Sequence, residues 1–197
     1  FDAPLRMVDF RHESGAVHAA DSYSRILRKG GVTLSTTPGH ANALPGLANA
    51  VNSEAPVINV AGSGESPNIG RGAMQEFDQV GIAAPVTKGA WNVPSPERIP
   101  EYVALAFRTA LSGRQGPVHL TIPHDFQMAE VDDAEVARYA PSEHGSSTRV
   151  LGDPEQVERA IDILNSAQRP VIFAGSTAGA TADPAELRRL VETLRMP

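Results

Sequence analysis

Apolar and polar positions along this chain follow two different periods. Ala16, Val17, Ala20, Tyr23 and Leu27 recur at helical spacing, and Lys29-Gly30-Gly31 closes the run with the basic and glycine residues that suit a helix C-terminus. Leu44, Leu47, Ala48 and Val51 mark a second helix, and Ile99, Val103, Ala106, Phe107 and Ala110 a third, strongly amphipathic one. Between them lie short apolar runs that predict strands at 7–10, 32–36, 56–61, 86–91 and 117–122. The run PVINVA at 56–61 is apolar enough for burial on both faces. Strand and helix alternate throughout, which predicts an α/β fold with a mainly parallel sheet.

The pattern changes twice further along. Residues 62–72 are rich in Gly and Ser, and Pro38-Gly39 interrupts the chain after the second strand; both read as loops or turns. From about 128 to 152 periodicity is lost among Asp, Glu, Ser and Gly, which predicts a linker. A second βα pattern follows: Val157, Ala160, Ile161 and Leu164 for a helix, 170–174 (PVIFA) for a strand, Leu187, Leu190, Val191 and Leu194 for another helix. That tail is too short to bury a sheet alone and reads as the opening of a second α/β domain. The expected organisation is therefore a domain at 1–127, a linker at 128–152, and the start of a further domain at 153–197. The first residue is not Met, no signal-peptide pattern is present, and the last residues stop just after a helical pattern. The chain reads as a piece of a longer protein.

Composition narrows the function. Hydrophobic residues make up 41% and charged residues 20%, so a packed core is expected. Net charge is -6 and no basic run occurs, which argues against nucleic acid as partner. There is no cysteine, hence no disulfide framework and no thiolate metal site, which fits a reducing cytoplasm. No apolar run reaches membrane-spanning length.

Four motifs carry the chemistry. They are RHE at 11–13 followed by ADSYSR at 20–25; TPGHAN at 37–42; AMQEFDQVGIAAPVTKGAW at 73–91; and SGRQGPVHLTIPHDFQ at 112–127. Together, in this order, they resemble the pyrimidine-binding domain of thiamine-diphosphate-dependent enzymes of the acetolactate synthase type. The resemblance implies a flavodoxin-like, doubly wound sheet. It also implies thiamine diphosphate as cofactor, with Mg²⁺ and the diphosphate bound in a separate C-terminal domain, and FAD possible in the central domain. The sequence departs from the family's pattern at Ser22 and Thr37, where Gly is usual, and at Met74, where Phe is usual.

By that resemblance Glu13 is the catalytic, cofactor-activating carboxylate. It stands between a strand end and a helix start, where open α/β sheets place ligands. A carboxylate hydrogen-bonded to N1′ of the aminopyrimidine favours the imino tautomer and so helps remove the C2 proton. A raised pKa in a dry pocket would suit this task. As a residue by itself, Glu13 equally suits a helix N-terminus. Pro38, Gly39 and Asn42 form the turn that the resemblance sets against the aminopyrimidine, Gly39 permitting close backbone approach; Asn42 also suits a helix cap. Gln75 and, more weakly, Lys88 are implied to face cofactor or substrate, where an amide and a cation hold a carboxylate or carbonyl. His12 and His40 have no partner at readable spacing and are given no catalytic role. No residue of this chain is read as a metal ligand.

The expected activity is carbon–carbon bond formation or cleavage beside a carbonyl, acting on a pyruvate-type 2-oxo acid or a 2-hydroxy ketone. The assembly implied is a homodimer or homotetramer with the cofactor at the subunit interface. FDQVGIAAPVTK suits a benzaldehyde lyase-like enzyme or a 2-hydroxyacyl-CoA lyase equally well. A non-catalytic assembly domain is a further alternative. The tail PVIFAGSTAGA lacks the spacing of the dinucleotide fingerprint.

Overall fold

The computed structural model describes residues 6–139, 151–175, 178 and 183–194. Two compact units divide the chain, residues 1–146 and 147–197. The division falls inside the stretch read as a linker.

In the first unit α1 (Glu13–Leu27) leads into β1 (Gly31–Ser35), α2 (Thr37–Asn52) and β2 (Val57–Ser63). A long connection carries the short α3 (Gln79–Ala83). Then come β3 (Ala90–Asn92), α4 (Ile99–Leu111), β4 (Val118–Pro123) and α5 (His124–Met128). His12 caps α1, its Nδ1 accepting the Ser14 amide at 3.2 Å. The helix closes one residue before Lys29, on Arg28 in the left-handed conformation (φ 55°).

The four strands form one parallel sheet in the order β1-β2-β4-β3. Alternation sends successive residues of each strand to opposite faces. On one face Val57 joins Val17, Ala20, Ala43, Leu47 and Ala50, the apolar stripes of α1 and α2. On the other, Ile58, Val118 and Leu120 meet Ala106 and Ala110 of α4. Helices thus cover both faces, and the sheet is doubly wound and flavodoxin-like. Leu47 and Leu120 are fully buried, each worth about 1.5–3 kcal/mol relative to exposure. Among the described residues, no helix is long and apolar enough to cross a membrane.

Three predicted strands differ from the structure. Residues 7–10 form none, and Met7, Val8 and Phe10 are exposed; a strand exists only by pairing, and β1, at the sheet edge, pairs with β2 alone among the described residues. The run 86–91 divides instead into a 3₁₀ turn at Ala84–Val86, opened by Pro85, and the three-residue β3. Residues 170–174 are irregular, with Phe173 96% exposed.

The second unit holds α6 (Pro154–Ser166) and α7 (Pro184–Leu194). Asp153 caps α6 by accepting the Glu155 and Gln156 amides. None of its described residues whose burial is assigned is buried. The described residues of this unit bury too little surface to close a core.

Candidate functional site

Helices α1 and α2 meet along a seam whose register follows from helical spacing. Glu13, Val17 and Asp21 lie four residues apart on α1, and Gly39, Asn42, Gly46 and Asn49 line the facing stripe of α2. At the far end Asp21, buried, accepts from Arg25 Nε at 2.8 Å and from Asn49 Nδ2 at 2.8 Å. In the middle Gly46 lets Val17 approach: a Cβ there would fall 2.7 Å from Val17 Cβ. At the near end Asn42 Nδ2 donates to Glu13 Oε2 at 3.2 Å, and a Gly39 Cβ would fall 2.7 Å from Glu13 Oε1. The structure therefore brings Glu13, Gly39 and Asn42 together. Asn42 sits inside α2 rather than capping it; Pro38, in its first turn, is exposed.

Glu13 is half-buried, with its pKa held below the ordinary carboxylate value. The hydrogen bond from its own backbone amide contributes most, then the Asn42 amide, with burial opposing them and His12 assisting. The raised pKa that a dry pocket would give is not produced by these residues alone. At a helix N-terminus, with two donors and only partial enclosure by the described residues, the charged form is favoured.

Gln75 approaches the same turn through its backbone. Its carbonyl accepts the Thr37 hydroxyl at 2.8 Å, two residues ahead of Gly39, and its own φ is 65°. The Gln75 side chain is exposed.

Lys88 is not brought to this place. Its amide donates to Pro117 O, just ahead of β4, and its Nζ donates to the carbonyls of Thr109 and of Ser112, the latter at 2.7 Å. The Thr37–Gly39 turn follows the last residue of β1, whereas Lys88 precedes the first residue of β3. In a parallel sheet these are opposite edges. Lys88 lies as a cation on the C-terminus of α4, its pKa lowered by burial.

A buried polar network behind the turn escapes the sequence reading. Thr33, Asn59 and His119 stand in register across β1, β2 and β4, on the face that α2 covers. His40, on α2, stacks on His119 with ring centroids 3.9 Å apart. Thr33 Oγ1 donates to Asn59 Oδ1, and Asn59 Nδ2 donates to Nδ1 of both histidines at 2.9 Å. Each ring then carries its proton on Nε2. His40 donates to Gln79 O at 3.1 Å, and His119 to Thr121 Oγ1 at 2.9 Å. Thr121 donates to Gln79 Oε1, and Gln79 Nε2 donates to Thr37 Oγ1 at 2.8 Å and to Gly62 O at 3.1 Å. Every bond is satisfied with both imidazoles neutral. Burial lowers the pKa of His40, and burial with the neighbouring His40 takes His119 to about 3. One signal was available: in VHLTI His119 and Thr121 alternate with apolar residues, and Asn59 is the lone polar residue of VINVA.

The site's chemistry is that of an ionised carboxylate, partly open, beside backbone with no Cβ. It can accept a proton or hydrogen bond from a flat heterocycle such as the aminopyrimidine of thiamine diphosphate, and the place a Gly39 Cβ would take is filled by the carboxylate itself. Among the described residues no three His, Asp or Glu side chains gather as metal donors.

Comparison with known proteins agrees. Residues 1–82 match the family model described as the thiamine pyrophosphate enzyme, N-terminal TPP binding domain. The chain is 36% identical over 199 positions to a probable acetolactate synthase large subunit of Methanocaldococcus jannaschii, covering 100% of this chain and 34% of that protein. It is 38% identical to an acetolactate synthase of Arthrospira platensis, with coverages of 95% and 32%. The corresponding figures for the acetolactate synthase isozyme 2 large subunit of Escherichia coli are 35%, 100% and 35%. The chain spans about one third of the length of these relatives. With the Glu13–Gly39–Asn42 seam, the family match and these relatives in agreement, the chain belongs to the thiamine-diphosphate-dependent enzymes and is acetolactate synthase-like.

Proposed function

We propose that the full-length protein is a thiamine-diphosphate-dependent enzyme that joins pyruvate-type 2-oxo acids in an acetolactate synthase-like reaction, with Glu13 as its cofactor-activating residue. The observation that carries this is the seam's near end: an ionised, half-buried carboxylate held by Asn42 and flush against the bare backbone of Gly39. When bound, thiamine diphosphate supplies a carbon nucleophile that no amino-acid side chain can provide. Glu13 holds or shares a proton at the aminopyrimidine, Gly39 and Pro38 form the surface under the ring, and Asn42 keeps the carboxylate oriented. Gln75 presents its amide at the rim of the same turn.

Glu13 would do this best inside a dry pocket, and its own unit leaves it half open. That supports a site completed by another domain, at the interface of a homodimer or homotetramer. The diphosphate and Mg²⁺ are assigned to that other domain.

The test is calorimetric titration of the full-length protein with thiamine diphosphate, with and without Mg²⁺, alongside pyruvate turnover. Saturable, Mg²⁺-dependent binding and turnover are expected. Glu13→Gln should bind the cofactor yet lose roughly 10²–10⁴-fold in kcat. Absence of binding overturns the assignment, and full activity of Glu13→Gln overturns the role of Glu13.

A further inference from the structure

The long connection from β2 to α3 carries Gln75, and a buried side chain, Gln79, follows it four residues on. Gln79 is 1% exposed. Its amide nitrogen holds the Thr37 hydroxyl and the Gly62 carbonyl, its amide oxygen accepts from Thr121, and its backbone carbonyl accepts from His40. Because Gln79 donates to Thr37 Oγ1, the one hydroxyl proton of Thr37 is left to point elsewhere. It goes to Gln75 O at 2.8 Å, and not to the more distant Gly62 O at 3.3 Å. That bond captures Gln75 in the left-handed region (φ 65°), which a residue with a Cβ adopts only where its surroundings hold it. Upstream, the direction of every hydrogen bond is set by Asn59, whose two amide protons both go to the histidine pair. The chain Asn59–His119–Thr121–Gln79–Thr37–Gln75 is thus ordered end to end, and its penultimate member, Thr37, stands two residues from Gly39.

We infer that Gln79 is a positioning residue: through the Thr37 hydroxyl it fixes the Gln75 backbone and so seats the 64–78 segment at the rim of the turn that carries Gly39. The segment's other ties leave this role to Gln79. Glu76 accepts the Gly70 and Ala73 amides, which folds the segment on itself, and Ser66 is bound to Asp125 at its far end. Gln79 with Thr37 joins the Gln75 end to α2. The catalytic consequence rests on the proposed function, since Gln75 then presents its amide to substrate from a fixed backbone. The structural consequence does not.

Two variants of the full-length protein separate the possibilities. Gln79→Leu keeps the approximate volume and removes the donors. Gln79→Glu keeps an acceptor; ionised, its carboxylate draws the Thr37 proton away from Gln75 O and faces the Gly62 carbonyl. Protonated, it can donate again, and burial raises the pH at which it does so. The first readout is tryptic cleavage after Arg71, an exposed site within the segment. Cleavage about tenfold faster than wild type is expected for Gln79→Leu at pH 8, with other sites in the domain unchanged. Gln79→Glu should be equally sensitive at pH 8 and return toward the wild-type rate, measured side by side, at pH 6. The second readout is kinetic: KM for the 2-oxo acid should rise about tenfold while the thiamine diphosphate Kd stays within about threefold of wild type.

Cleavage after Arg71 at the wild-type rate in both variants overturns the inference. So does acceleration at every site in the domain with no recovery of Gln79→Glu at pH 6, the signature of a purely core role. Failure of wild type to bind thiamine diphosphate overturns the proposed function instead, and leaves the cleavage pattern to decide Gln79.

Discussion

The Cβ that Gly39 lacks would lie 2.7 Å from Oε1 of Glu13 and 2.9 Å from its Cγ. The acid of α1 and the backbone of α2 meet with nothing between them. A methyl group at position 39 must push the carboxylate aside, and it can do so cheaply because the displaced atoms end a flexible side chain. Gly39→Ala should therefore separate function from stability. Helix propensity favours Ala over Gly by about 1 kcal/mol, so melting of the full-length protein should be unchanged or slightly raised. Cofactor affinity, measured by calorimetry, should fall at least tenfold. Wild-type affinity in Gly39→Ala would mean that the Glu13–Gly39 contact is not part of the site.

Gly46 makes the matching contact in the middle of the seam, with the opposite outcome. Its added Cβ would meet Val17 Cβ at 2.7 Å and Cγ1 at 2.8 Å. Val17 is fully buried and β-branched, so it cannot turn away. Overpacking costs roughly 1–3 kcal/mol, more than the propensity gain returns. Gly46→Ala should weaken hydrogen-exchange protection of the α1 and α2 amides. Combining it with Val17→Ala should recover part of that loss.

Asp21 closes the seam's far end with Arg25 and Asn49. Asp21→Ala leaves the Asn49 amide without its acceptor and should cost about 1–3 kcal/mol. Arg25 is half exposed, and Arg25→Ala should cost less. Denaturant unfolding of the two variants checks the order.

The histidine pair ties stability to pH. Both rings are neutral in the folded state, and a proton on either Nδ1 would face the Asn59 N–H. His119 has a folded pKa of about 3, well below its unfolded value, and that of His40 is also lowered. The unfolded chain then binds more protons, so stability rises with pH across this range. The contribution is complete above about pH 6.5, the ordinary histidine value, and is lost progressively as pH falls toward 3. Neither ring should titrate near pH 6.5 in an NMR titration of histidine Cε1–H resonances. A normal His119 titration there would contradict the network's proton arrangement.

Much of this protein is legible without coordinates. The stripes of α1, α2 and α4 and the runs that became β1, β2 and β4 are local periodicities, and local periodicity belongs to a single segment. Glu13, Gly39 and Asn42 were legible as a group through motif resemblance, and the seam brings them into contact. Pairing was not legible. Whether 7–10 or 170–174 becomes a strand depends on a neighbour to receive its hydrogen bonds, and an apolar run carries no record of that neighbour. The position of Lys88 depended on which edge of the parallel sheet its residue number reached, and the same side chain suits a substrate or a helix C-terminus. The partners of His40 lie 19 and 79 residues away, at Asn59 and His119. Only the register of β1, β2 and β4 sets Thr33, Asn59 and His119 in one row beneath α2. Sequence determined α1, α2, α4 and the strands β1, β2 and β4; tertiary structure decided the proton order behind the turn, because each of those hydrogen bonds joins segments whose spacing is fixed by the sheet and not by the chain.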